Sequence, residues 1–208
     1  MNSMKSLKEA LFSKRNFTRK KNNKYEFTGE SIEHNGHTLY RIRALRKISD
    51  ICDKGDEGGY IESEFNLSTQ GSCWVYKTAK VYDNAQIRDD ALVYDDAEVF
   101  EDAQIYNAGE VVGSSKVYGS VEVYDGACIL DRSQIFGHAI IHGYAQIYDD
   151  VKVYGNAEVF GEAEIYDKSK IYGNSRICGS ATVTGKSDIC INKDLVIDEG
   201  THINEKLR

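Results

Sequence analysis

The chain has 208 residues, 41% hydrophobic and 28% charged, with no proline and a formal net charge of −7. This composition excludes a disordered or collagen-like chain and leaves enough apolar material for one sizeable core. No apolar run is long enough for a membrane-spanning helix and the N-terminus lacks an apolar signal core, so the expected setting is the cytoplasm, with no membrane contact.

Residues 1–24 form the first segment. Eight basic side chains stand there against Glu9 alone, a basic arm on an otherwise acidic chain. Ser6-Leu7-Lys8-Glu9 has the spacing of a capping box, which predicts a short helix with Leu7 and Leu11 on one face. About two turns are marginal alone, so this helix either docks on something or frays.

Residues 25–74 are predicted to form a β-hairpin cap and an entry coil. Asn35-Gly36 separates alternating segments at 25–34 and 37–45, the signal for a tight primed turn. The hairpin is expected as a lid over the first coil, because an open solenoid end exposes strand edges. His34 and His37 flank the turn and are read as turn residues.

From residue 75 the chain repeats. Every sixth residue from Val75 to Ile189 is Val or Ile, twenty positions without an insertion. The fifth residue of each hexad is small or Val, as at Ala79, Gly109, Ser115 and Val121. The third is Gly, Asp or Asn in 17 of the 19 hexads between Val75 and Asp188, Lys77 and Glu101 being the exceptions. Strand alternation turns the small residue and the Val or Ile inward and their successors outward, and the two residues left over make a corner. Gly, Asn and Asp suit that corner because they tolerate positive φ. Three sides close a triangle, so one coil takes about eighteen residues and coils stack at about 4.8 Å. Each buried aliphatic side chain contributes about 1.5–3 kcal/mol, and no hexad can bury its face without neighbours. The solenoid is assigned to 75–197, with Leu195, Val196 and Ile197 as its last rung and 198–208 as a C-terminal cap or tail.

The pattern Val/Ile-x-x-x-small-x resembles the hexapeptide-repeat superfamily. The resemblance implies an all-β, single-stranded, left-handed parallel β-helix; periodicity alone does not give the hand. The lead-in Gly58-Gly59-Tyr60-Ile61-Glu62-Ser63-Glu64-Phe65-Asn66-Leu67-Ser68, followed by Gly71-Ser72-Cys73-Trp74-Val75-Tyr76, resembles that of a narrower group of bacterial and phage hexapeptide-repeat proteins. Hexads such as Val153-Tyr154-Gly155-Asn156-Ala157 are typical of them. That likeness implies a phage or bacterial origin. The superfamily also includes acyltransferases and gamma-class carbonic anhydrases.

Sorting the hexads by three gives one outward column per face. The first carries Tyr76, Tyr94, Val112, Leu130, Tyr148, Tyr166 and Thr184; the second Tyr82, Phe100, Tyr118, Phe136, Tyr154 and Tyr172; the third Arg88, Tyr106, Tyr124, His142, Phe160 and Cys178. Beside the second column stand Lys80, Lys116, Lys152 and Lys170. Aromatic rings next to lysines are a candidate ligand or partner face for a protein or a glycan, although rings stacked along a coil also stabilise adjacent rungs without any ligand. Ten basic against nineteen acidic side chains between residues 75 and 188 speak against a nucleic-acid groove. On the first face Leu92, Tyr94, Val112, Cys128, Leu130 and Tyr148 make the most apolar outward patch, a candidate dimer or trimer contact.

Little in the sequence points to chemistry. His138 and His142 lie in successive hexads, and an acyltransferase-like reading would place its general base there, at a trimer interface. The resemblance implies that such enzymes usually carry a loop thrown out of the coil, or a C-terminal helical segment, to build the pocket, and this coil has no interruption. A zinc site of the carbonic anhydrase kind needs a third histidine, which the repeat lacks. Cys52, Cys73, Cys128, Cys178 and Cys190 form no C-x-x-C pair and read as reduced thiols. The expectation is a non-catalytic solenoid with no cofactor or metal, presenting flat faces to a macromolecular partner, most simply a protein.

Overall fold

A computed structural model describes residues 22–50, 52–191, 196–198, 202–203 and 206–207. The N-terminal helix, almost all of the basic arm and Leu195 lie outside the described residues. The described chain is all β, with no helix. It forms a parallel β-solenoid of about seven coils. Most rungs are two-residue strands ending in the Val or Ile of a hexad, and each pairs in parallel with the strand eighteen residues on. On the second face, Lys80–Val81, Glu98–Val99, Lys116–Val117, Gln134–Ile135 and Lys152–Val153 stack in this way. Every third strand belongs to one sheet, so the three faces are sheets of eight, eleven and seven strands. From Val75 to Ile189 every repeat Val or Ile is buried, and these side chains form one continuous core.

The corners show why the third position is so restricted. All nineteen third-position residues, from Lys77 to Gly185, have positive φ, including Lys77 at 51° and Glu101 at 56°. Five of the seven aspartates there accept a backbone N–H of the next coil. Asp131 accepts the Asp149 N–H at 3.1 Å, Asp149 the Asp167 N–H at 3.0 Å, and Asp167 the Gly185 N–H at 2.9 Å. Asp83 and Asp89 do the same for Glu101 and Asn107. These corner carboxylates therefore form a hydrogen-bonded ladder that satisfies amides left over by the left-handed conformation. At the small inward position, Ser115, Ser169, Ser175 and Ser187 each donate to the carbonyl three residues back, which lets a hydroxyl replace a methyl in the core.

At the N-terminal end, β1 (Tyr25–His34) and β2 (His37–Ala44) form the hairpin around Asn35-Gly36. β2 pairs antiparallel with β3 (Glu57–Ile61), and β3 pairs parallel with Lys80–Val81. The hairpin thus covers the starting edge of the second-face sheet. The lead-in glycines are required by closeness: a Cβ on Gly59 would lie 2.5 Å from the Ala79 carbonyl oxygen, and one on Gly58 would lie 2.7 Å from that of Val75. Buried Asn66 donates from Nδ2 to the carbonyls of Asp83 and Ala85, both at 3.0 Å, closing the start of the third face. Tyr25 packs edge-on against Trp74, and its hydroxyl reaches the Leu67 carbonyl at 3.0 Å.

At the other end Val196–Ile197 pairs with Arg176–Ile177, His202–Ile203 with Thr182–Val183, and Lys206–Leu207 with Asp188–Ile189. The three sheets therefore continue into the C-terminal tail.

Candidate functional site

The second face carries an unbroken ring stack. Tyr82, Phe100, Tyr118, Phe136, Tyr154 and Tyr172 follow one another with centroids 4.8–5.1 Å apart and planes within 6°. This is offset stacking at coil spacing, favourable beyond the area it buries. It has a chemical consequence: the π-faces are occupied by neighbouring rings, so beyond Tyr82, which is buried, the ladder offers ring edges and phenol hydroxyls outward. Burial first, then the Glu98 carboxylate, working against the hydrogen bond that Asn35 donates, push the Tyr82 phenol up to about 12. A hydrogen bond with Asp188, ahead of desolvation, pushes Tyr172 to about 12. Beside the rings, Lys80 donates to its own Thr78 carbonyl at 3.2 Å, and Lys116 pairs with Glu98 at 3.3 Å. Lys152 and Lys170 lie in register on neighbouring strands. Lys170, with Lys168 and Lys186, edges an open depression near the C-terminal end.

The third face is a second ladder with cationic ends. Tyr106, Tyr124, His142 and Phe160 stack at 4.8–5.0 Å, Arg88 lies over Tyr106 and Arg176 over Phe160. Its polar edges are tied to the next coil: Tyr106 donates to Glu122 at 2.7 Å and His142 Nε2 meets Glu158 at 3.1 Å. Glu158 also pairs with Arg176 at 2.8 Å. His142 is thus held between two rings with a nitrogen on a carboxylate. His138 is exposed on a corner, and no hydrogen bond or ion pair joins the two histidines among the described residues.

The first face is discontinuous. Tyr76 stacks on Tyr94 at 4.4 Å and Tyr148 on Tyr166 at 5.0 Å, while Val112 and Leu130 occupy the two rungs between the pairs. In the neighbouring column Glu110 sits in register between Leu92 and Cys128, so a carboxylate divides the apolar patch there.

The hairpin tip builds a cluster that sequence reasoning did not anticipate. Residues 34–37 fold onto the start of the second face, and His34 and His37 pack against the Tyr82 ring at 5.6 and 5.1 Å. His34 Nε2 meets Glu98 at 3.2 Å. Burial opposes ionisation of Glu98, but the bonds from His34 and Lys116 hold its carboxyl below the usual range. His37 is sandwiched: Nδ1 meets Glu62 at 3.1 Å and Nε2 meets Asp83 at 3.5 Å. The Glu62 hydrogen bond, working against desolvation, raises the His37 pKa above its ordinary value. The ligand-type atoms of His37, Glu62 and Asp83 lie within 4.8 Å of one another. Carboxylates at both ring nitrogens, however, suit a doubly protonated imidazolium, whereas a cation needs a free lone pair on one of them. The only early signal was the pair of histidines flanking the turn; their partners come from strands up to 64 residues away.

No protein-family model matches this chain, and no curated protein matches it. What its own geometry establishes is a parallel β-solenoid with eighteen-residue coils, consistent with a hexapeptide-repeat β-helix.

Proposed function

We propose that the protein is a non-catalytic scaffold, coiled in the left-handed sense that the hexapeptide resemblance implies, which presents a flat side of the rod to a protein partner. One observation carries this reading: from Val75 to Ile189 no hexad is interrupted, so no excursion builds a cleft and the outward side chains are spent on one another in ladders. His142, the residue an acyltransferase reading would use, is stacked between Tyr124 and Phe160 and bonded to Glu158. The second face is the preferred contact, because its ring edges and the lysines at 152 and 170 form a continuous strip that combines apolar and cationic character.

The test is capture from the native host with the full chain immobilised, against a Lys152→Glu/Lys170→Glu variant. A partner retained by the parent and lost by the variant, with an unchanged melting temperature, supports the reading. Equal retention, or turnover of an acyl donor by the purified protein, overturns it.

A second reading rests on the first face, where Val112 and Leu130 interrupt the tyrosine stack and leave aliphatic groups outward: self-association of the rods along that face. Sedimentation of the parent as a dimer or trimer and of Val112→Asp/Leu130→Asp as a monomer supports it; a monomeric parent removes it.

A further inference from the structure

Lys24 immediately precedes β1, and its residue is fully buried. Its Nζ lies 3.0 Å from the Ser68 carbonyl oxygen, 3.2 Å from that of Gln70 and 3.1 Å from Cys73 Sγ. Cys73 is also fully buried, at the entry to the first coil. Three acceptors around one nitrogen allow two protonation patterns. An ammonium gives all three protons away, one of them to a thiolate. A neutral amine gives two protons to the carbonyls and turns its lone pair toward sulfur. Both patterns place a nucleophilic nitrogen or its conjugate acid directly against a sulfur with nothing between them. Burial, set against the attraction between the two groups, lowers the Lys24 pKa and raises that of the Cys73 thiol, and so favours the neutral amine beside a neutral thiol. Among the described residues no comparable nitrogen is hydrogen-bonded to Cys128, whose Sγ donates to the Gly126 carbonyl.

We propose that Lys24 and Cys73 form a covalent sulfur–nitrogen bridge when the protein meets hydrogen peroxide, a redox-controlled fastening of the hairpin to the solenoid. In the first step Sγ attacks one peroxide oxygen. The S–O bond forms and the O–O bond breaks, and the departing hydroxide leaves as water with the thiol proton, giving the sulfenic acid. In the second step Lys24 Nζ attacks sulfur. The N–S bond forms and the S–O bond breaks, and hydroxide leaves as water with an amine proton. One thiol, one amine and one peroxide give one sulfenamide and two waters; sulfur loses the two electrons that peroxide gains. The bridge closes the loop that carries the hairpin and β3, tying its start to the first coil. A thiol reductant returns the amine and the thiol.

The experiment treats the full chain with hydrogen peroxide, blocks remaining thiols, digests and reads the peptides by mass spectrometry. The expected result is the Lys24 and Cys73 peptides joined as one species, two hydrogens lighter than their sum and separated by dithiothreitol. In Lys24→Arg, whose guanidinium keeps donors but is a poor nucleophile, Cys73 instead yields a sulfenic acid trapped by dimedone. Cys73 left unmodified while Cys128 and Cys178 are oxidised overturns the proposal. So does a Cys73 sulfinic acid beside a free Lys24 amine. Both outcomes are read on the parent protein, so the test stands even where the arginine variant does not fold.

Discussion

Replacing Gly119 by alanine tests the corner geometry directly. Gly119 has φ +81°, and a Cβ there would lie 2.6 Å from the Gly137 carbonyl oxygen and 2.8 Å from its nitrogen. Both are backbone atoms, so no rotamer change relieves the contact. The same carbonyl oxygen accepts the Ser120 N–H at 2.7 Å, and the methyl intrudes on that bond. The left-handed conformation costs a non-glycine residue about 1–2 kcal/mol and overpacking adds about 1–3 kcal/mol. Restricting the unfolded chain returns about 0.4–1 kcal/mol. The net expectation is a loss of about 2–4 kcal/mol. The rung above supplies a control of opposite sign. Glu101 stacks over Gly119 in the same corner column with φ 56°, and its bond to Asp83 uses only the backbone N–H. Glu101→Gly therefore relieves strain and is expected to gain about 0.5–1 kcal/mol. Urea unfolding followed by circular dichroism gives both shifts from midpoints at constant slope, and hydrogen exchange at Ser120 localises the first. A Gly119→Ala midpoint equal to the parent's, with Ser120 still protected, would refute the account of the corners.

Phe136→Ala removes two stacking contacts, with Tyr118 and Tyr154, from a half-buried position. A loss of about 2–3 kcal/mol is expected in the same urea assay, and a neutral result would mean that the ladder does not stabilise the rod. Hairpin docking is expected to depend on pH through His37. Its folded pKa is raised above 6.5 by Glu62, so its contribution is complete below that value and fades as pH rises through the raised one. Amide exchange in β2 should accelerate over that range in the parent and lose this step in His37→Asn; an unchanged profile in the variant would assign the effect elsewhere.

The repeat was the most legible part of the chain because its signal is local and redundant. Twenty aliphatic positions at one spacing leave little freedom, and Asn35-Gly36 marks its turn with two adjacent residues. Lys77 and Glu101 broke the corner rule in sequence yet take the same left-handed conformation, because the coils above and below fix the path regardless of local preference. The hairpin-tip cluster was not legible: His37 reaches Glu62 and Asp83 only through the way β2, β3 and the first rungs assemble. The Lys24–Cys73 contact spans 49 residues and has no periodic signature at all. The corner aspartates at 83, 89, 131, 149 and 167 gain their bonds from amides one coil on, which composition cannot reveal.

The in-register pairing of each rung with the one eighteen residues later also governs how the gene can change length. Excising eighteen contiguous residues from the middle would remove one storey of the rod and leave every remaining column on its own side. Excising six would preserve the packed interior while rotating everything downstream by a third of a revolution, so that the phenolic strip would break and resume on an adjacent wall. Any loss that is not a multiple of six would expose the aliphatic interior. Insertions and deletions in such a chain therefore act as a three-way selector for which wall carries each downstream column.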